Sequence, residues 1–257
     1  MNECKDIKYE LLFNSPFIIA SSVIDSGNYD MVSVLSNGVP YIPGSSIRGR
    51  IKAAIRQHCV ENDKTYKVSF DEYNHICDAQ KTGKGKFCEN IKKSCPLCRI
   101  FGIPGSEITR GYDFSGAYIN ETNEELFEKI NKNSPEAIYQ KRTRNKINPL
   151  LKRSEEDALF TAGMVDLPLP FEGNIIEIAS YNKNVDDKIK KIDRVLILLA
   201  MRLVTNIGGN RNRGSGQCRF NPLDKDWEVD INTHIEIWKS KRNIINENIQ
   251  KTSCRSN

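Results

Sequence analysis

From Ile47 onward the chain places an apolar or thiol side chain at every fourth position, Ile51, Ile55 and Cys59, while Arg48, Lys52 and Arg56 keep the same interval alongside. Two such registers predict an amphipathic helix with one face in a core and a basic face beside it. It should start after Pro40-Tyr41-Ile42-Pro43-Gly44, with Ser45 and Ser46 capping its first free N–H groups, and run to about Asn62. A second helix is expected over Asp187–Leu203, where Val195, Leu196, Leu198, Leu199, Met201 and Leu203 bury it almost all round. Strand patterns cover Tyr9–Ile19 with a break at Pro16, Tyr29–Leu35 up to an Asn37-Gly38 turn, Thr109–Ile119, Asn174–Ala179 and residues 218–230. Asn123–Ile130 reads as an acidic helical turn, and from Asn232 a helix fades into a Lys/Asn-rich tail.

Two further stretches are strand-like, Ile138–Ile147 and Ala158–Val165, and between them stands Asn148-Pro149-Leu150-Leu151. Leucines at a hairpin tip are costly unless something covers them. A basic ribbon with an apolar tip suits a device that grips phosphates and wedges between bases; a hairpin packed on its own or a neighbouring subunit is the alternative.

With 257 residues, 39% hydrophobic and 28% charged, the chain is globular and can bury a real core. The longest apolar run, Val195–Met201, is far short of a membrane span, and the N-terminus lacks a signal-peptide layout, so a cytoplasmic protein is expected. The net charge of +5 is unevenly spread. Between Lys141 and Arg153 six cations occur with no acid, and Arg202, Arg211, Arg213 and Arg219 follow in a second acid-free block. Such blocks fit a polyanionic partner. Gly208-Gly209-Asn210-Arg211-Asn212-Arg213-Gly214-Ser215-Gly216 offers a glycine-rich nest with two arginines, but no Gly-Lys-Ser/Thr ending, so it is not a nucleotide P-loop.

Four of the eight cysteines crowd into residues 77–98. Cys95-Pro96-Leu97-Cys98 is a C-x-x-C knuckle, with Cys88 and Cys77 before it and His75 as a fifth candidate ligand. Two thiolates on one tight turn supply half of a tetrahedral zinc site, and the polar stretch between Cys77 and Cys88 has no core of its own. A structural Zn2+ site of Cys77, Cys88, Cys95 and Cys98 is therefore expected, with His75 in place of Cys77 as the variant.

Three motifs in this order resemble the RAMP superfamily of CRISPR systems, in particular the repeating backbone subunit of type III effector complexes. They are Ile42-Pro43-Gly44-Ser45-Ser46-Ile47-Arg48-Gly49, then Cys95-Pro96-Leu97-Cys98-Arg99-Ile100-Phe101-Gly102, then the loop from Gly208 to Gly216. The resemblance implies an α+β fold: a modified ferredoxin-like or RRM-like palm (1–73, 104–136 and 167–230), a zinc-binding insertion (74–103), a thumb β-hairpin (137–166), and a C-terminal helix and tail (231–257). It also implies a guide crRNA, a target RNA, other effector subunits and further copies of the chain as partners. Ser45, Ser46, Arg48, Arg50, Lys52, Arg211 and Arg213 would hold the guide backbone. Arg142 and Arg144 would lie along the basic ribbon, with Leu150 and Leu151 displacing a base. Family members cut target RNA with an aspartate ahead of the Pro-Gly-Ser-Ser motif; Asp30 stands at the better distance and Asp25 is the other candidate. The reaction implied is attack of a ribose 2′-hydroxyl on its own phosphate, assisted by Mg2+ or another divalent ion. A non-catalytic crRNA-binding scaffold is the first alternative. A precursor-processing endonuclease is the second, though His58, His75 and His234 do not stand where its base is expected.

Overall fold

The computed structural model describes residues 6–19, 29–61, 138–148 and 153–223, and most of 77–132. Alternation along β1 (Ile7–Phe13) puts Ile7, Tyr9 and Leu11 in the core and Lys8 in solvent, as a half-buried strand requires. Helix α1 (Gly44–Glu61) follows two short strands, β2 (Met31–Val32) and β3 (Leu35–Ser36), and a third, β4 (Val39–Pro40). Between β3 and β4, Asn37 and Gly38 both take positive φ (51° and 81°), the two-residue hairpin that an Asn-Gly pair favours. The chain then forms α2 (Pro96–Phe101), β5 (Tyr112–Phe114), β6 (Tyr118–Ile119), β7 (Tyr139–Asn148) and β8 (Arg153–Val165). It closes with β9 (Phe171–Glu177), α3 (Ala179–Asn184), α4 (Asp187–Leu203), a 3-10 turn at Arg211–Arg213 and β10 (Cys218–Pro222).

The main sheet has the order β10-β1-β9-β5, with every neighbouring pair antiparallel. Taken with α1 and α4, which pack on each other, this is the split β-α-β-β-α-β arrangement of ferredoxin-like folds. Ile47, Ile51 and Ile55 of α1 are 0–2% exposed, so the fourth-residue stripe is the core face; each such burial contributes about 1.5–3 kcal/mol. A second, three-stranded sheet joins the β7–β8 hairpin to β2, which runs parallel to β8 through Met31 and Ala162. β8 begins at Arg153, earlier than the expected Ala158, and pairs with β7 from Tyr139–Val165 to Asn148–Arg153 across one irregularity near Ile147.

The structure corrects two local expectations. Thr109–Ile119 is not one strand: β5 and β6 both pair with β9, but Phe114 and Tyr118 are four positions apart while their partners Ile175 and Glu172 are three apart. The extra residue is a bulge. Ser115 fixes it, its hydroxyl donating to the Asn174 carbonyl at 2.7 Å and accepting from the Asn174 N–H at 2.9 Å. Nor do Ser45 and Ser46 cap α1 from outside. The helix starts at Gly44, and the Pro43 carbonyl accepts from the N–H of Ser46 (2.9 Å) and of Ile47 (3.3 Å), so both serines lie inside the first turn.

The Pro-Gly-Ser-Ser motif seats on that bulge. Ile42 bridges Ala117, and a Cβ on Gly44 would collide with the Phe114 carbonyl oxygen. The motif's glycine thus permits close approach of helix and strand. Gly44→Ala is expected to lower unfolding free energy by about 1–3 kcal/mol despite alanine's better helix propensity. Denaturant unfolding measures this, and an unchanged midpoint would show that the contact yields without cost.

Candidate nucleic-acid interface and cysteine site

Basic side chains from three distant segments meet at one end of α1. The Arg50 Nε donates to the Asn206 carbonyl at 2.9 Å, at the root of the glycine-rich loop. From the hairpin, Arg144 donates to Asn210 Oδ1 at 2.6 Å. Burial and the nearby Arg211 hold the Arg50 guanidinium below its ordinary pKa; burial, Arg213 and Arg142 do the same to Arg144. Their neighbours in charge are therefore cations, and a polyanion would relieve the repulsion. Arg211 and Arg213 are exposed on the 3-10 turn, while Arg142 and Arg144 are half-buried. The structure thus brings together Arg50, Arg142, Arg144, Arg211 and Arg213. Asn206 and Asn210, which hold two of these arginines, were not singled out by the sequence; Asn210 in a glycine loop was the available signal, and it takes the left-handed conformation (φ 59°).

The loop differs from the expected nest of free N–H groups. The Gly209 N–H donates to Ile18 O (2.8 Å), the Gly214 N–H to Arg211 O (3.0 Å) and the Gly216 N–H to Pro16 O (2.9 Å). Gly216, at φ 69°, also lies so close to the Ile207 carbonyl that a side chain would collide. These glycines serve close backbone packing, and the arginines remain as the loop's offer to a ligand.

Arg48 and Lys52 point elsewhere. Residues two apart on a helix do not share a face, and Arg48 donates to the Phe101 carbonyl at 2.6 Å, on the side of α1 away from Asn206. Lys52 lies 5.7 Å from the centre of the Phe101 ring; burial and then Arg48 hold its ammonium below the usual value. Ser45, three residues before Arg48, is exposed, and Ser46, four before Arg50, is half-buried. The guide contacts expected together at the start of α1 therefore divide: Arg50 joins the loop, and Arg48 and Lys52 lie with Phe101.

Asp30 stands at the entry to β2. Its backbone N–H donates to Thr161 O (2.8 Å), and its Oδ2 accepts from the Thr161 N–H at 2.5 Å. One carboxylate oxygen is thereby committed to the hairpin strand β8. Asp25, Leu150, Leu151, His75 and His234, and the side chain of His58, lie outside the described residues.

The cysteines converge. The Sγ atoms of Cys77, Cys88, Cys95 and Cys98 all lie within 4.8 Å of one another, with 3.6 Å from Cys77 to Cys98 and 3.8 Å from Cys95 to Cys77. Tetrahedral thiolates at about 2.3 Å from zinc stand about 3.8 Å apart, so this donor set fits the ion. Cys88 accepts from the Cys95 N–H at 3.3 Å, and Gln80 donates to Cys98 at 3.6 Å. Hydrogen bonding by Cys98 draws the Cys95 thiol down to about 5, while burial pushes Cys88 up to about 11.

The knuckle's helix is wholly buried, and it is fastened by an ion pair that the sequence reading passed over. Arg99 and Asp193 are both fully buried, joined through Nε–Oδ2 at 2.8 Å and a terminal nitrogen–Oδ1 at 2.7 Å. Arg99 also donates to the Ser94 carbonyl, and the Tyr181 hydroxyl donates to Asp193 Oδ2 at 2.5 Å. Burial works against the Asp193 charge; the arginine fork and the tyrosine work for it. The signal was legible, since Asp193 falls on the stripe of Ile189, Ile197 and Ala200 that α4 buries.

Among the described residues no helix is long and apolar enough to cross a membrane. No curated protein matches the chain. Among solved structures, the chain is similar to one in the cryo-EM structure of type III-B Cmr-beta in the apo state. The TM-score is 0.57 at 11% identity, covering 86% of this chain and 98% of that one. A second similar chain comes from type III-B Cmr-beta bound to cognate target RNA, with a TM-score of 0.57, 10% identity and coverage of 85% and 97%. At such identity the likeness speaks for the fold. The sequence model of the RAMP superfamily matches residues 10–219, which takes in the Pro-Gly-Ser-Ser turn, the cysteine knuckle and the arginine-bearing loop, and the chain belongs to that superfamily.

Proposed function

We propose that this protein is a subunit of a type III CRISPR effector complex that holds a guide RNA along the arginine convergence and cleaves the paired target RNA near Asp30. The observation that carries the reading is the meeting of Arg50, Arg144 and the Arg211–Arg213 turn from three separate segments. Cations gathered without regard to a base edge suit sequence-independent grip on phosphates. The open face of the main sheet is no competitor. It places Glu10 directly opposite Glu172, two acids that repel a phosphate chain, although exposed Tyr118, stacked on Tyr41, also stands opposite Glu172 on that face. In this reading residues 137–166 form the thumb, Leu150 and Leu151 at its tip displace a base, residues 74–103 form the zinc-binding insertion, and the rest is palm. Ser45 and Ser46 would line the guide's path at the start of α1. Other effector subunits and further copies of the chain are its partners.

For cleavage, Asp30 supplies a carboxylate oxygen that has no partner among the described residues; a bound Mg2+ or similar ion would add charge stabilisation at the phosphate. Asp25 is the second candidate. The bond already made to Thr161 favours a competing role for Asp30 as an anchor in a non-catalytic scaffold. Asp30→Asn separates the two, because an asparagine oxygen still accepts from the Thr161 N–H while the charge is gone. In the guide-loaded complex with Mg2+, Asp30→Asn is expected to slow target cleavage at least 100-fold with guide binding unchanged. Full cleavage in that variant, with loss in Asp25→Ala, would move the role to Asp25. Absence of cleavage in the unaltered complex would leave the scaffold.

A further inference from the structure

At the cysteine cluster, two of the four sulfurs accept from N–H groups that no ligand side chain supplies. The first donor is Gln80, which is 5% exposed and whose Nε2 donates to Cys98 Sγ at 3.6 Å. The Gln80 backbone N–H donates to the Cys77 carbonyl at 3.0 Å, so one residue is tied to both ends of the cysteine set. The second donor is the Cys95 N–H, which reaches Cys88 Sγ at 3.3 Å. The carbonyl of that same peptide unit, on Ser94, accepts from the Arg99 guanidinium, which the Asp193 carboxylate holds in turn. In a planar trans peptide the N–H and C=O point in opposite directions. A cation on the oxygen therefore polarises the N–H toward the sulfur.

Burying an amide such as that of Gln80 is costly, and an N–H bond to a neutral thiol offsets little of that cost. Four thiolates outweigh the charge of one Zn2+, and N–H bonds to such sulfurs are charge-assisted. We infer that Gln80 and Arg99 are positioning residues of the zinc site, Gln80 acting directly on Cys98 and Arg99 acting on Cys88 through the Ser94–Cys95 peptide. The inference rests on the zinc-binding reading of residues 74–103. It gives the buried Arg99 a task besides fastening α2, and it gives a task to a glutamine that matches none of the ligand types. Partners of this kind contribute about 10–100-fold to metal affinity.

Zn2+ affinity of the full chain, measured by competition with a chromogenic chelator, tests this. Gln80→Leu removes the donor at similar volume, and Gln80→Glu replaces it with a carboxylate that only accepts. Each should weaken zinc at least tenfold, the glutamate more. Arg99→Met with Asp193→Leu, which frees the Ser94 carbonyl without leaving a lone ion, should also weaken zinc at least tenfold. If that double variant fails to fold, the Gln80 variants carry the test. Co2+ in place of the colourless Zn2+ reports on the sulfurs themselves. Without the Gln80 donor, the sulfur-to-cobalt charge-transfer bands should move to lower energy, a shift that lost packing alone would not cause. Weaker zinc binding with unmoved bands would make Gln80 a packing residue and overturn its assignment. Zinc held as tightly by both Gln80 variants as by the unaltered chain would overturn the inference and leave the zinc site standing. An unaltered chain that binds no zinc would overturn both.

Discussion

Replacing either Arg99 or Asp193 with alanine should destabilise the protein by about 3–5 kcal/mol, because each leaves the other as an uncompensated charge in a fully buried position. The pair joins the cysteine-bearing α2 to the core helix α4, so the damage should reach both. The double substitution Arg99→Met with Asp193→Leu removes both charges at comparable volume and should be less harmful than either single alanine. A double-mutant cycle by chemical denaturation measures the coupling. If the two single costs simply add, the ion pair is not what fastens α2. Tyr181→Phe offers a graded check: it removes one donor to the carboxylate and should cost about 1.5–3 kcal/mol.

The second large effect concerns zinc. Elemental analysis should find one zinc per chain, and exhaustive chelation should lower thermal stability sharply. Binding to the folded state alone adds about 4 kcal/mol when free zinc exceeds its dissociation constant 1,000-fold. For a chain of this size that is about 8–16 °C in the unfolding midpoint. Cys98→Ser should lose zinc and show the same lowered midpoint with or without chelator. A midpoint that chelator does not move, in a chain shown to carry zinc beforehand, would mean that the four sulfurs hold their places unaided.

The readable parts of this fold were those governed by local periodicity or by a chemically distinctive residue. The fourth-residue isoleucines of α1, the existence of α4, the Asn37-Gly38 turn and the four cysteines all declared themselves that way; α4 is not buried almost all round, however, since Leu203 is 51% exposed and Leu196 and Leu199 are only half-buried. What stayed hidden depended on partners far away in sequence. Helix spacing alone says that Arg48 and Arg50 part company, but not where each one goes, which is decided by Phe101 and Asn206. The serine caps failed because the Pro43 carbonyl had already closed the first turn. The glycine loop misled for the same reason: its N–H groups found carbonyls from Pro16 and Ile18 near the opposite end of the chain. Asp193 was different, since a lone acid on an apolar stripe is visible in the sequence and asks for a buried cation.

The attachment of the β7–β8 hairpin has a mechanical consequence. Its described ties to the body gather at the root: Phe17 with Val165, Met31 with Ala162, Asp30 with Thr161, and Arg144 with Asn210. Beyond them, Arg153 to Phe160 extends about 25 Å at 3.3 Å per residue, its backbone laddered only to β7 among the described residues. The ribbon is therefore a cantilever, and a load at its end becomes torque at its base. Asp30 sits at that fulcrum, so whatever bends the ribbon also turns the carboxylate.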